Sequence, residues 1–174
     1  MSDQKEASPG VMIRPLDESD DLQALTELLH RAYGQLAEMG LRFVATHQDA
    51  ETTRSRIEGA ECYVAELGGR VVGTIVFRDC ERSGSCNWYD RPDVASFGQF
   101  GVEPSMQGHG VGSALLSFVE DRARAVGAKE IALDTAEPAT HLIELYSKRG
   151  YRIVERVNWG DVVNYSSVIM SKRL

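Results

Sequence analysis

The chain has 174 residues, of which 43% are hydrophobic and 26% charged, and its formal net charge is -7. This length and composition suit one globular domain of ordinary size. The acidic balance argues against a broad nucleic-acid-binding surface, which would need clustered Lys and Arg, and no apolar run approaches the ~20 residues of a membrane span.

The first ten residues are polar and lack the apolar core of a signal peptide. We therefore predict a flexible tail over residues 1–10 and a single domain over residues 11–174. Cys62, Cys80 and Cys86 form no CxxC pair, and no histidine lies at metal-ligand spacing to them. This pattern predicts free thiols in a reducing cytoplasm and no metal, with a Cys80–Cys86 disulfide as the alternative.

The first half of the chain predicts a strand, two helical stretches and a hairpin. Residues 11–15 are apolar and β-branched, which favours a strand, and apolar residues recur at helical spacing over residues 22–32. Residues 41–60 predict a second, less regular helical stretch. Two apolar runs on either side of Gly68-Gly69 predict a β-hairpin over residues 62–77.

The second half follows a polar loop over residues 78–95. Its elements are predicted as strand 97–102, helix 113–126, strand 131–134, helix 139–149 and strands 151–157 and 163–170. The complete order is β-α-α-β-β-β-α-β-α-β-β, which indicates one mixed α/β domain. The hairpin makes part of its sheet antiparallel, and the strand–helix–strand unit from 97 to 134 makes part of it parallel.

A glycine-rich segment, Gln107-Gly108-His109-Gly110-Val111-Gly112, joins the strand at 97–102 to the following helix. Such a turn gathers backbone N–H groups at the positive end of the helix dipole, which predicts a phosphate or pyrophosphate site. A turn without a ligand is the simpler alternative. The segment lacks the Lys of a nucleoside-triphosphate loop. Asp134 fits a dinucleotide-binding fold, but the glycine spacing and the hairpin disfavour one.

This segment resembles the acetyl-CoA pyrophosphate loop of the GNAT acyltransferases, a Gln/Arg-x-x-Gly-x-Gly/Ala pattern. Downstream, Leu145-Tyr146-Ser147-Lys148-Arg149-Gly150-Tyr151 resembles that family's second signature, Leu-Tyr-x-x-x-Gly-Phe/Tyr. The resemblance covers residues 11–170. It implies a central, mixed, mostly antiparallel sheet of about seven strands flanked by about four helices.

The resemblance also implies an enzyme that moves an acetyl or related acyl group from acyl-CoA to an amine. The N–H groups of residues 108–113 would hold the pyrophosphate, and pantetheine would pair with the main chain of strand 97–102, where Gly98 and Gly101 ease its approach. The cofactor-binding residues so implied are Phe100, Val102, Gln107, Gly108, His109, Gly110, Val111, Gly112 and Ser113.

Tyr146 occupies the family's position for the acid that protonates the departing thiolate. Some relatives place a glutamate near the start of the strand before the loop, where this chain has Ser96, so the general base is unassigned. Proximity in sequence offers Glu61, Glu66, Asp93, Gln99 and Glu103 as candidates, and a water relay is the alternative.

Acceptor recognition is expected in the variable segments, residues 22–60 and 78–95. Four residues of the second segment either bind a cationic amine or pin the loop to the surface: Trp88, Tyr89, Asp90 and Asp93. We predict a small-molecule or peptide amine as acceptor, with neither nucleic acid nor membrane as partner. A homodimer is one option for the oligomeric state. The alternative function is a non-catalytic CoA-binding regulatory module on the same fold.

Overall fold

The computed structural model describes residues 10–80 and 86–174. Residues 1–9 of the predicted tail and residues 81–85 of the predicted loop lie outside this part. The helices of the described part are α1 (Leu22–Ala32), α2 (Gly34–Glu38), α3 (Ala50–Ile57), α4 (Val111–Ala125) and α5 (Thr140–Lys148). Its strands are β1 (Met12–Pro15), β2 (Glu61–Leu67), β3 (Arg70–Arg78), β4 (Val94–Val102), β5 (Glu130–Ala136), β6 (Arg152–Val157) and β7 (Ser167–Arg173).

The seven strands form one sheet in the order β1-β2-β3-β4-β5-β7-β6. Neighbours pair antiparallel except β4 and β5, which are parallel and are connected through α4. This arrangement confirms the mixed, mostly antiparallel sheet. The β2–β3 hairpin turns at Gly68 and Gly69, whose φ angles of 58° and 78° suit the two-residue turn that the twist of paired strands favours.

Two hydrophobic clusters cover the two faces of the sheet because side chains alternate along each strand. Tyr63 and Ala65 of β2 contribute to the larger cluster, which includes Leu115 of α4. Cys62 and Val64 of the same strand join a second cluster that includes Leu25 of α1. The helices therefore lie on both faces of the sheet.

The sheet splays open between β4 and β5. Parallel pairing covers only Val94–Ser96 of β4 and stops at Ala132 of β5. On its other edge, β4 carries a bulge: Gly98 pairs with Val76 and Gly101 with Thr74, so β4 has one residue more than β3 over this interval. Gln99 takes a φ of 44° in the bulge. Bulges bend a strand and increase its local twist, which directs β4 away from β5.

Some element boundaries differ from the sequence predictions. The strand β4 begins at Val94 rather than at residue 97, and only residues 50–57 of the stretch 41–60 form an α-helix, after a 3-10 turn at Val44–Thr46. The last strand begins at Ser167 rather than at residue 163. Val162 and Val163 line a cavity instead, which their β-branched character does not reveal.

Among the described residues, no helix is long and apolar enough to cross a membrane. All three cysteines lie in this part of the chain and carry free thiols, so the alternative disulfide is absent from the structure.

Candidate active site

Two cavities meet at the opening between β4 and β5. The larger, about 690 Å³, lies between the glycine-rich turn, α5 and the end of β4. The smaller, about 410 Å³, lies on the other side of β4, between α3 and the segment before β7. Five residues line both cavities: Tyr33, Phe43, Phe100, Asp134 and Tyr146. Their shared walls define the point at which two molecules, one in each cavity, would come together.

The glycine-rich turn presents its backbone to the larger cavity. Gly108 and Gly110 have φ angles of 80° and 82°, a region that side chains disfavour. Gly110 is also the N-cap of α4 and has no side chain with which to cap it. The N–H groups of residues 111–113 therefore find no acceptor inside the helix, as at any α-helix start. A Cβ on Gly112 would lie 3.2 Å from Cζ of Phe100, so this backbone approaches β4 closely.

Most of the predicted cofactor-binding residues line the larger cavity. Those in its wall are Phe100, Val102, Gln107, Gly108, Gly110, Gly112 and Ser113, together with Tyr146. Val111 directs its side chain into the hydrophobic core, where it is 1% exposed, so it offers the cavity only its backbone. His109 is exposed outside the cavity wall, with Nδ1 3.1 Å from the Gln107 carbonyl.

Gly101 lines the larger cavity and also allows α1 to pack closely against β4, because a Cβ there would lie 2.9 Å from Cβ of Ala32. Gly98 lines the smaller cavity. That the two glycines ease the approach of pantetheine stays a prediction.

Two cations that the sequence analysis did not single out, Lys148 and Arg149, line the larger cavity at the end of α5. Arg149 donates to Glu120 Oε1 at 2.8 Å and to the hydroxyls of Ser113 and Ser117. Burial raises the pKa of Glu120, but Arg149, Lys172 and Tyr151 outweigh that effect and hold it below its usual value. The cluster fixes the end of α5 against the first turns of α4, beside the glycine-rich turn.

Tyr146 projects from α5 into the opening between the two strands. Its ring packs against Phe97 and Tyr151, with centroids 6.3 and 5.8 Å away. Its hydroxyl forms no hydrogen bond with another described residue, and burial raises its pKa far above the usual phenol value. The group therefore keeps its proton and can donate it to an atom in the cavity.

Asp134 lines both cavities, as Tyr146 does. It is the exposed residue of the otherwise buried strand β5. Tyr89 donates to Asp134 Oδ1 at 2.8 Å. The carboxylate is open to solvent within the cavity, yet protein surrounds it on most sides. This desolvation raises its pKa, against the opposing influence of Tyr89, Arg56 and Arg78. A carboxylate of raised pKa suits a general base near neutral pH.

The base candidates taken from sequence proximity lie elsewhere. Four of them are held by arginines outside both cavities, in the pairs Glu61–Arg122, Glu66–Arg14, Asp93–Arg91 and Glu103–Arg31. Gln99 does line the smaller cavity, but its amide oxygen accepts from Gln48 at 2.8 Å. From the sequence, Asp134 fits only a dinucleotide ligand, because its position in the chain does not show which face of β5 it occupies.

The smaller cavity combines aromatic walls with charge. Its wall includes Tyr89 of the predicted acceptor loop and Trp159 of the segment before β7. The other loop aromatic, Trp88, instead stacks under Arg91 with the guanidinium 4.2 Å from the ring centroid. Tyr89 therefore lies in the cavity wall, while Trp88 packs against Arg91 of the same loop. That this loop binds a cationic amine stays a prediction.

The profile described as "Acetyltransferase (GNAT) family" matches residues 22–151, which include β4, the glycine-rich turn and α5. The chain belongs to the GNAT family. It is 32% identical over 136 residues to the S-(2-succino)cysteine N-acetyltransferase of Bacillus subtilis, covering 75% of this chain and 78% of that protein. It is 25% identical over 150 residues to the S-alkylcysteine N-acetyltransferase of the same organism, covering 82% and 80%.

Solved structures share the fold. An acetyltransferase from Elizabethkingia anophelis with acetyl-CoA bound superposes with a TM-score of 0.66 at 17% identity, covering 95% of this chain and 99% of that one. PH1933 from Pyrococcus horikoshii gives a TM-score of 0.66 at 26% identity, covering 94% and 98%. The family and the fold predicted from the two signatures are therefore confirmed.

Proposed function

We propose that this chain is an N-acetyltransferase that moves the acetyl group of acetyl-CoA directly to an amine. The observation that carries the proposal is that Tyr146 and Asp134, a proton donor and a proton acceptor, both lie in the wall that the two cavities share. Acyl transfer from a thioester to an amine needs both groups at the same place.

The larger cavity fits CoA. Its turn offers helix N-terminal N–H groups to a pyrophosphate, and Lys148 and Arg149 add positive charge beside it. Residues 97–102 of β4 face the opening without a partner strand on the β5 side, so their main chain can pair with the amides of pantetheine. The bound acetyl-CoA of the E. anophelis relative supports the same ligand here.

In the proposed reaction, Asp134 accepts a proton from the incoming ammonium, directly or through water. The free amine attacks the thioester carbonyl carbon, a C–N bond forms, and the C–S bond breaks. Tyr146 protonates the departing thiolate, and the acylated nitrogen returns its second proton to the Tyr146 phenolate, which leaves the N-acetyl product, free CoA and a protonated Asp134. Because a thiol is a stronger acid than a phenol of raised pKa, transfer from Tyr146 is unfavourable by itself, and the return of a proton from the nitrogen completes it.

The test follows CoA thiol release and the N-acetyl product by mass spectrometry with a panel of amines. The curated relatives act on S-(2-succino)cysteine and S-alkylcysteine, so these compounds head the panel. We expect Tyr146→Phe to lower kcat by about 100-fold while acetyl-CoA still binds. Tyr63→Phe is the matched control, because that hydroxyl donates to Glu61 far from the opening.

Equal losses of kcat in the two variants would mean that the Tyr146 hydroxyl takes no part in the reaction. Binding of acetyl-CoA without thiol release for any amine would favour the non-catalytic regulatory module. A cytoplasmic location and a homodimer stay predictions.

A further inference from the structure

Arg56 brings a positive charge into the wall of the smaller cavity, on the side of β4 away from the glycine-rich turn. It is the penultimate residue of α3, and its guanidinium is partly buried. Burial lowers its pKa, against the raising influence of Tyr33, Asp134 and Tyr165. A charge in such a place is costly unless an opposite charge accompanies it.

Within residues 10–80 and 86–174, no carboxylate lies within 4.0 Å of the Arg56 guanidinium. Arginines elsewhere on the sheet do have such partners: Arg14 lies 2.7 Å from Asp20, Arg122 2.8 Å from Glu61, and Arg149 2.8 Å from Glu120. Arg56 therefore lines the cavity without a carboxylate in contact with it, and a second arginine, Arg78, lies in the same wall. A molecule bound in the cavity can supply the counter-charge to Arg56.

Hydrogen bonds hold Arg56 in place. Its Nη1 donates to Gln48 Oε1 at 2.6 Å, and the amide of Gln48 in turn donates to Gln99 in the β4 bulge and to Thr53. Arg78 Nη2 donates to the Arg56 carbonyl at 2.7 Å. The network fixes the guanidinium relative to the bulge without bringing a carboxylate into contact with it, which suits a preformed anion site.

Asp134 lies in the wall of the same cavity, within electrostatic reach of Arg56 but not in contact with it. The cavity wall thus combines the Asp134 carboxylate, which also lines the larger cavity, with the Arg56 guanidinium; Arg78 and Asp79 line the same wall. An α-amino acid carries the complementary pair on one carbon atom. Its side chain would then lie among the aromatic walls, which include Phe43, Trp159 and Tyr165.

We propose that the acceptor is a free α-amino acid, with its carboxylate paired to Arg56 and its amine at Asp134. This inference rests on the proposed transferase function. It favours a free amino acid over a peptide amino terminus, whose first carboxyl group is an uncharged amide. It equally disfavours amines that lack a carboxylate.

The experiment compares matched acceptors: S-methyl-L-cysteine, its primary amide, and 2-(methylthio)ethylamine, which lacks the carboxylate altogether. Further trios of amino acid, amide and decarboxylated amine extend the comparison to other side chains. We expect kcat/KM to favour the free acid by about 10- to 100-fold, as one charge-assisted pair would give. Arg56→Gln should abolish that preference, and Arg56→Lys should retain part of it.

Arg54→Gln is the matched control, because it removes the same charge from an exposed position of the same helix. The preference should survive in this variant. Because a ratio of acceptors is measured within each variant, partial loss of folded protein does not distort the result. Equal use of the three acceptors, a preference for the amine without carboxylate, or an unchanged preference in Arg56→Gln would overturn the inference.

Calorimetric binding of the same compounds to the CoA-bound protein separates this inference from the proposed function. Carboxylate-dependent binding that Arg56→Gln abolishes, without turnover of any amine, would support the amino-acid site and reject the transferase. Turnover of amines with no dependence on a carboxylate would support the transferase and reject the amino-acid site.

Discussion

At the scale of single residues, Asp134 shows what the sequence could and could not indicate. The sequence predicts a strand that ends at Asp134, but the surroundings of Asp134 depend on pairing with β7 and on the divergence of β4. Arg56 lies 78 positions earlier and reaches the same cavity because α3 packs against α1, which lies on β4. Tyr146 could be predicted, because its signature is local; the acid–base partner could not, because it is set by tertiary structure.

The ionisation of Asp134 predicts a pH dependence. Desolvation raises its pKa, so Asp134 is protonated at pH values where an ordinary aspartate would still be charged, and the proposed base is then inactive. We expect kcat/KM to fall as the pH is lowered through this raised pKa, and Asp134→Asn to lose activity together with this acidic limb of the profile. Asp121→Asn, exposed on α4, is the control and should keep both. An unchanged acidic limb in Asp134→Asn would assign the base to another group.

The raised pKa of Asp134 also affects stability. Because the folded protein binds the proton of the Asp134 carboxyl more tightly than the unfolded chain does, the contribution of Asp134 to the free energy of unfolding falls as the pH rises from the pKa of the unfolded state through that of the folded state. Asp134→Asn should therefore not lower the melting temperature at neutral pH, whereas loss of a purely structural carboxylate would.

At the scale of elements, the turn before α4 combines a sequence signature with a backbone requirement. The glycine spacing predicted the turn and the start of the helix to within two residues. Gly98 and Gly101 are compatible with a bulge in β4 but do not locate one, because bulges depend on the partner strand. The opening beside the turn therefore follows from β3 and β5 as much as from β4.

Two glycines offer a matched test of this turn. Gly108 and Gly127 have φ angles of 80° and 84°, are both exposed, and would each place an added Cβ in open space. Alanine at either position should cost about 1–2 kcal/mol of folding stability through backbone strain. Only Gly108→Ala should also weaken acetyl-CoA binding, by about 10-fold or more, as measured by calorimetry. Equal affinities in the two variants would mean that the turn does not hold the cofactor.

At the scale of the whole molecule, element order and the two signatures together were enough to predict the fold. The hairpin and the parallel β4–β5 connection left few arrangements of the sheet. The strand order at the β5-β7-β6 edge did not follow from the sequence, because β6 precedes β7 in the chain but lies outside it.

Ligand-dependent stability tests the assignment of the larger cavity for the whole protein. Acetyl-CoA at 100 times its dissociation constant should add about 2.7 kcal/mol, which for a domain of this size raises the melting temperature by about 5–10 °C. NAD(H) at the same concentration should leave it unchanged, because the turn lacks the dinucleotide spacing. A shift with NAD(H) and none with acetyl-CoA would reject both the transferase and the regulatory module.

The short pairing between β4 and β5 divides the sheet into two halves, β1–β4 and β5–β7. Only three paired residues of each strand join these halves. A cofactor bound in the opening beyond this pairing would contact both halves of the sheet and link them. Without the cofactor, the two halves should move most easily relative to each other at the β4–β5 pairing, beside the place where the proposed reaction aligns the acetyl group with its acceptor.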